Sequence, residues 1–216
     1  MLITLLCDNS DSWIMKYLAD IEECLLEKGH QVEKVQNYEN LSQGDLAFFL
    51  SCEDIVPEEY LKLNDHNLVV HESDLPQGKG WSPLTWQVLE GKDKIPITLF
   101  EAVPELDAGQ IYLQDTIELD DTELNAELKR KQGQKTKELI LKFVEQYPDI
   151  EGREQQGEES YYPRRTPKDS ELDIDKTINE QFNLLRVVDN ERYPAFFYKN
   201  GEKYIVKIYK EGEDSE

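Results

Sequence analysis

The chain has 216 residues, 38% of them hydrophobic, and carries 24 Lys+Arg against 46 Asp+Glu for a formal net charge of −22. That length accommodates one sizeable domain plus a small appendage. The negative field excludes non-specific attraction to a polyanion, so no nucleic-acid partner is expected.

No apolar run is long enough for a bilayer span, so no membrane partner is expected. Residues 1–13 lack a basic n-region and read as a first strand rather than a signal peptide. Three scattered cysteines, Cys7, Cys24 and Cys52, fit no zinc or disulfide spacing, which predicts no metal and a reducing, cytoplasmic location.

Residues 2–7 read as a buried strand, followed by an Asp/Ser/Asn turn in which Asp11 or Ser12 is the expected N-cap. Apolar positions Ile14, Tyr17, Leu18, Ile21 and Leu25 predict a helix over 13–28, closed by Gly29. Strands follow at 30–35, 46–50 and 67–70, with a short helix opened by Pro57 between the last two. Ser82 and Pro83 open a helix over 81–90, closed by Gly91, and strands follow at 95–100 and 111–119. A long amphipathic helix is predicted over 122–147, with Gly133 weakening its middle. This rhythm predicts an α/β fold, a Rossmann-like, mostly parallel sheet with helices on both faces. The turn after the first strand offers Asp8 and Asp11 rather than a glycine-rich phosphate loop, so no dinucleotide fingerprint is present.

Residues 1–148 form the expected catalytic domain, and 149–172 a linker or extended segment, charged and poor in apolar residues. A helix over 174–188, capped by Asp173 or Asp175, and a hairpin turning at Asn200-Gly201 make a small C-terminal unit over 173–210. Residues 211–216 are expected to be disordered.

The segment from 71 to 112 carries the chemistry. An apolar run, Leu68-Val69-Val70, delivers His71 to a strand end, and a later strand leads to Asp107 in Leu-Asp-Ala-Gly-Gln-Ile. A histidine and an acid at strand ends suggest general acid–base chemistry at the edge of an α/β sheet. Taken singly, each has an ordinary explanation: a satisfied polar residue for His71, a turn residue for Asp107.

Together with Ser73, Leu75, Pro76, Gly80, Trp86, Gly91, Thr98, Gly109 and Ile111, they make an ordered series that resembles the folate-dependent formyltransferases. The resemblance is strongest over residues 45–147. It implies a formyltransferase fold and N10-formyltetrahydrofolate as formyl donor. It also implies that His71 and Asp107 serve as an acid/base pair when an acceptor amine attacks the formyl carbon. The family carries an asparagine two residues before the histidine; here that position is Val69. Asn67 lies on the same strand face about 7 Å further back and is the candidate replacement.

By resemblance, the pterin lies against Leu50, Ser51 and Cys52 and against residues 103–107, including Val103, Leu106 and Asp107. The acceptor approaches Glu72, Ser73, Lys79, Gly80 and Trp81. Arg165 and Thr166 resemble a segment of family members with a C-terminal extension. The wording of residues 71–91 is similar to small enzymes that formylate nucleotide-linked amino sugars of the pseudaminic-acid type, used in surface polysaccharide biosynthesis. Two alternatives stand beside this reading: a non-catalytic folate or nucleotide-sugar binding module, and a formyltetrahydrofolate hydrolase. The hairpin tail is a candidate homodimer contact.

Overall fold

Leu2–Leu6 forms β1 and leads through a loop to α1, Met15–Glu27, in the computed structural model, which describes residues 1–212. The expectation of disorder at 213–216 falls outside the described residues. The chain then runs through β2 (Gln31–Val35), β3 (Gly44–Phe49), the one-turn α2 (Glu58–Leu61) and β4 (Asn64–His71). The two-residue β5 (Lys79–Gly80), α3 (Pro83–Leu89), β6 (Lys94–Glu101), β7 (Ile111–Glu118) and α4 (Asn125–Gln146) follow. Beyond them lie β8 (Tyr161–Tyr162), α5 (Phe182–Val187), β9 (Ala195–Lys199) and β10 (Glu202–Val206).

Six strands form one sheet in the order β2-β1-β3-β4-β6-β7. β1 pairs in parallel with β2 and β3, and β3 with β4, while β6 runs antiparallel to both β4 and β7. Only β6 opposes the common direction, so the sheet is mostly parallel. The central strands β1 and β3 read as continuous apolar runs because both faces are covered there, whereas the edge strands β2 and β7 carry polar residues. On one face α1 supplies Leu18, Ile21 and Leu25 and α4 supplies Leu128, Leu139, Ile140 and Phe143 to the main core. The other face is covered more thinly, by Leu41, Val56 and the aromatic rings of Tyr38 and Tyr60 around α2.

Gly133 does not weaken α4, which is continuous through it. A Cβ there would lie 2.7 Å from the Tyr17 ring, so the glycine lets α1 and α4 cross closely. Neither Asp11 nor Ser12 caps α1. The helix starts at Met15, and the Ser12 hydroxyl instead donates to Ser51 Oγ at 2.9 Å.

Residues 149–172 are extended but not free. Arg153 and Ile111 exchange both backbone hydrogen bonds, and β8 pairs in parallel with β5. The C-terminal helix is shorter than its pattern predicts, with a 3₁₀ turn at Asn179–Gln181 ahead of the six residues of α5. Side chains take over the backbone groups that a helix over 174–181 would have used. Gln181 bonds the N–H and C=O of Asp173, and Thr177 and Glu180 cap one another. The hairpin β9–β10 turns at Asn200-Gly201, both with positive φ, as a two-residue turn requires.

Candidate active site

The loop after β1, the C-terminal ends of β3 and β4, the loop after β6, α3, the first half of α4 and the C-terminal segment line a cavity of about 600 Å³. Ligands of open α/β sheets bind at this edge. His71, the last residue of β4, is 8% exposed. Its Nε2 lies 2.8 Å from the Gly78 carbonyl and 3.8 Å from Asp107 Oδ2. A carbonyl can only accept, so the ring proton sits on Nε2 and Nδ1 is left as the ring's acceptor.

Asp107 holds a positive φ of 48° in the loop after β6. Its Oδ2 accepts the Gly80 N–H at 2.8 Å, and its carbonyl accepts from Gln155 at 2.9 Å. Gly109 is required two residues later, because a Cβ there would fall 1.8 Å from the Glu101 carbonyl oxygen.

Leu50, Ser51, Cys52, Val103, Leu106 and Asp107 all line the cavity beside His71, together with Phe49, Val69 and Phe100. Leu106 is exposed. This wall is apolar with backbone polar groups at its edges. The Cys52 thiol donates to the Leu6 carbonyl at 3.5 Å, and burial pushes its pKa well above the ordinary thiol range, which disfavours the thiolate.

The acceptor residues divide. Glu72, Gly80, Trp81, Arg165 and Thr166 line the cavity. Ser73 and Lys79 do not. Ser73 is buried, and its carbonyl accepts from Thr98 at 2.7 Å. Lys79 is 1% exposed, and its ammonium pairs with Glu159 at 2.6 Å instead of facing a ligand. Asn67 also departs from expectation. It does not line the cavity; its amide donates to the Leu61 carbonyl at 2.7 Å under α2, so it does not stand in for the family amide at Val69.

The sequence reading missed a second lobe of the cavity. Asn125, Lys129, Gln132 and Thr136 of α4 line it with Trp13, Glu72, Asp189 and Arg192. The Lys129 ammonium lies 4.7 Å from the Trp13 ring centroid and donates to Gln132 at 3.0 Å. Burial lowers its pKa, while Glu72 and Asp189 favour the charged form. The signal was available: Asn125, Lys129, Gln132 and Thr136 stand at i, i+4, i+7 and i+11 and so share one face of the helix.

A formyl transferase family profile matches residues 15–144. The chain belongs to the formyl transferase family. It is 26% identical over 168 residues to a methionyl-tRNA formyltransferase of Sulfurihydrogenibium sp., covering 73% of this chain and 54% of that one. The chain thus spans about half the length of this curated relative. Among solved structures, a methionyl-tRNA formyltransferase from Clostridium thermocellum superposes with a TM-score of 0.81 at 21% identity, covering 99% of this chain and 95% of that one. A 4-N formyltransferase from Francisella tularensis superposes with a TM-score of 0.77 at 20% identity, covering 96% of each chain. Among the described residues, no helix is long and apolar enough to cross a membrane, and no cluster of three or more His, Cys, Asp or Glu could hold a metal ion.

Proposed function

We propose that this protein is an N-formyltransferase that moves a formyl group from N10-formyltetrahydrofolate to the amine of a small acceptor, a nucleotide-linked amino sugar. The observation that carries the reading is the juxtaposition of His71 and Asp107, at 3.8 Å, on the wall of a two-lobed cavity.

The apolar lobe suits the folate. Phe49, Leu50, Val69, Phe100 and Leu106 offer surface to a flat heterocycle, and backbone groups at 51–52 and 103–107 offer polar partners to its edge. Bound there, formyl-folate supplies an activated formyl carbon. His71 moves a proton between the acceptor amine and the donor nitrogen. Asp107 sets its carboxylate 3.8 Å from the ring nitrogen and orients the imidazole.

The polar lobe suits the acceptor. The Glu72 carboxylate, 7% exposed and next to His71, can hold an ammonium close to the reacting centre. Lys129, Arg165 and Arg192 can meet phosphate or carboxylate groups further out. The C-terminal segments roof this lobe through Arg165, Thr166, Val188 and Asp189, which leaves room for a small molecule. With a formal charge of −22, the chain would repel tRNA, so the small acceptor is favoured over a charged tRNA. Residues 1–148 supply the apolar lobe and the acid/base pair; 149–172 and 173–210 complete the acceptor side.

Val69 favours a second reading, a binding module without turnover, because it presents no donor where the family has an amide. One experiment separates them. Incubation with N10-formyltetrahydrofolate and nucleotide-linked amino sugars, pseudaminic-acid-type precursors first, should yield an acceptor heavier by one formyl group. Formyl loss to water alone would mark a hydrolase. Tight folate binding with no product from any amine would leave the module.

A further inference from the structure

The segment from Arg153 to Tyr162 does not itself line the cavity, yet it touches both the loop whose Gly78 carbonyl meets the His71 ring and the loop that carries Asp107. We infer that this strap is the positioning element of the site: it fixes the separation of His71 and Asp107 and the proton position on the His71 ring.

The strap holds the Gly78–Gly80 loop from one side. Ser160 Oγ accepts the Gly78 N–H at 2.9 Å, and the Ser160 carbonyl accepts the Lys79 N–H at 2.9 Å. The Tyr162 carbonyl accepts the Trp81 N–H at 3.1 Å, and Glu159 pairs with the buried Lys79 ammonium. The approach is close enough that a Cβ on Gly80, whose φ is 95°, would lie 2.6 Å from the Tyr162 carbonyl oxygen. The Tyr162 ring stacks on Trp86 at 6.3 Å, and its hydroxyl donates to Glu90 at 2.9 Å, anchoring the strap to α3.

From the other side, Gln155 Nε2 donates to the carbonyls of Asp107 and Gly109, both at 2.9 Å, and Arg153 is paired with Ile111.

Both catalytic side chains therefore rest on strap-held backbone. The loop whose Gly78 carbonyl takes the His71 Nε2 proton is the loop whose Gly80 N–H holds the Asp107 carboxylate. Release of Ser160 frees Gly78; release of Gln155 frees the Asp107 loop. Without the Gly78 acceptor, Nε2–H loses its hydrogen-bond partner and keeps only the Asp107 carboxylate at 3.8 Å, so Nδ1–H gains population. Strap residues act through backbone groups, so they are positioning residues and not catalytic ones.

The roles of His71 and Asp107 come from the proposed function, but the decisive measurement needs no substrate. Nitrogen-15 NMR of histidine-labelled protein at about pH 9, where an ordinary imidazole is neutral, reports the tautomer; His71→Gln assigns its signals. The native chain should show one Nε2–H tautomer for His71. The double variant Ser160→Ala with Gln155→Met should show averaged Nε2 and Nδ1 shifts. Ser160→Thr, which keeps the hydroxyl, should behave as native. Ser160→Ala alone, expected to show partial averaging, serves if the double variant does not fold. Native nitrogen shifts retained in the variant that folds, or mixed tautomers already in the native chain, would overturn the inference. Absent formyl transfer with the tautomer shift observed would overturn the functional reading instead.

Discussion

Gly80 donates its backbone N–H over 2.8 Å to Oδ2 of Asp107, the same oxygen that stands 3.8 Å from Nε2 of His71. The carboxylate is thus fixed by a neutral donor and kept within Coulombic reach of the imidazole without a direct hydrogen bond.

Asp107→Asn keeps the shape and an acceptor for Gly80 but removes the charge. Formyl transfer should fall by about 10²- to 10⁴-fold, the usual scale for a positioned acid–base partner. The KM for the folate should change by no more than about threefold. His71→Gln should lose at least as much. Steady-state kinetics check both, and a variant at either position that retains native kcat would remove that residue from the mechanism.

Asn67→Ala separates the strand position from the site. The amide is engaged with Leu61, and its Oδ1 is buried without a partner. Truncation should cost about 1 kcal/mol of stability, the typical net value of a buried hydrogen bond, and leave kcat within about twofold. Denaturant unfolding with parallel kinetics tests this. A large kcat loss at native stability would restore Asn67 as the replacement for the amide missing at Val69.

His66 gives a pH dependence. Its Nδ1 lies 2.8 Å from Glu101 Oε2, on a carboxylate that also accepts from Tyr112 at 3.0 Å. The Glu101 hydrogen bond raises the pKa, burial works against it, and the charges of Glu101 and Asp65 add to the rise. A folded-state pKa above the unfolded one means the pair's stabilisation is complete below the unfolded value, about 6.5. It is lost as pH rises through the folded value. The difference in Tm between the native chain and His66→Gln should therefore be largest near pH 6 and shrink toward pH 9. A difference that grows with pH would show that the pair is not what holds His66.

The sheet was legible because its apolar runs are local signals, and the placing of His71 beside Asp107 because both belong to the ordered series that carries the family resemblance. Apolar runs mark buried strands, and the glycine and proline signals mark where β4 and β6 hand over to loops. Three features were not legible, each for a long-range reason. Lys79 reads as an acceptor-side cation until Glu159, eighty residues later, is laid beside it. The segment at 151–159 has the composition of a linker because its anchoring is through backbone and polar side chains, which leave no apolar pattern. The polar stripe on α4 was visible in the spacing of Asn125, Lys129, Gln132 and Thr136, but amphipathicity alone does not say that a polar face is turned toward a cavity.

Arg186 supplies the last test, of what holds the roof of the acceptor lobe. It is fully buried on α5, with Nη2 at 3.1 Å from Glu123 Oε2, Nη1 at 3.1 Å from Asp121 and Nε donating to the Glu123 carbonyl at 3.2 Å. Glu123 is itself buried and also pairs with Lys131. Burial pushes the Glu123 carboxyl up, but Lys131 and the Asp120 N–H outweigh this and hold it below the ordinary range. Arg186→Met fills most of the volume yet removes the guanidinium partner of buried Glu123, along with its bonds to Asp121 and Asn183, so it should cost about 3–5 kcal/mol, the scale for breaking one partner of a buried pair. Because α5 leads into Val187, Val188 and Asp189 at the cavity wall, the same variant should raise the acceptor KM more than the folate KM. Equal rises in both would show that the C-terminal unit supports the whole cavity and not one lobe of it.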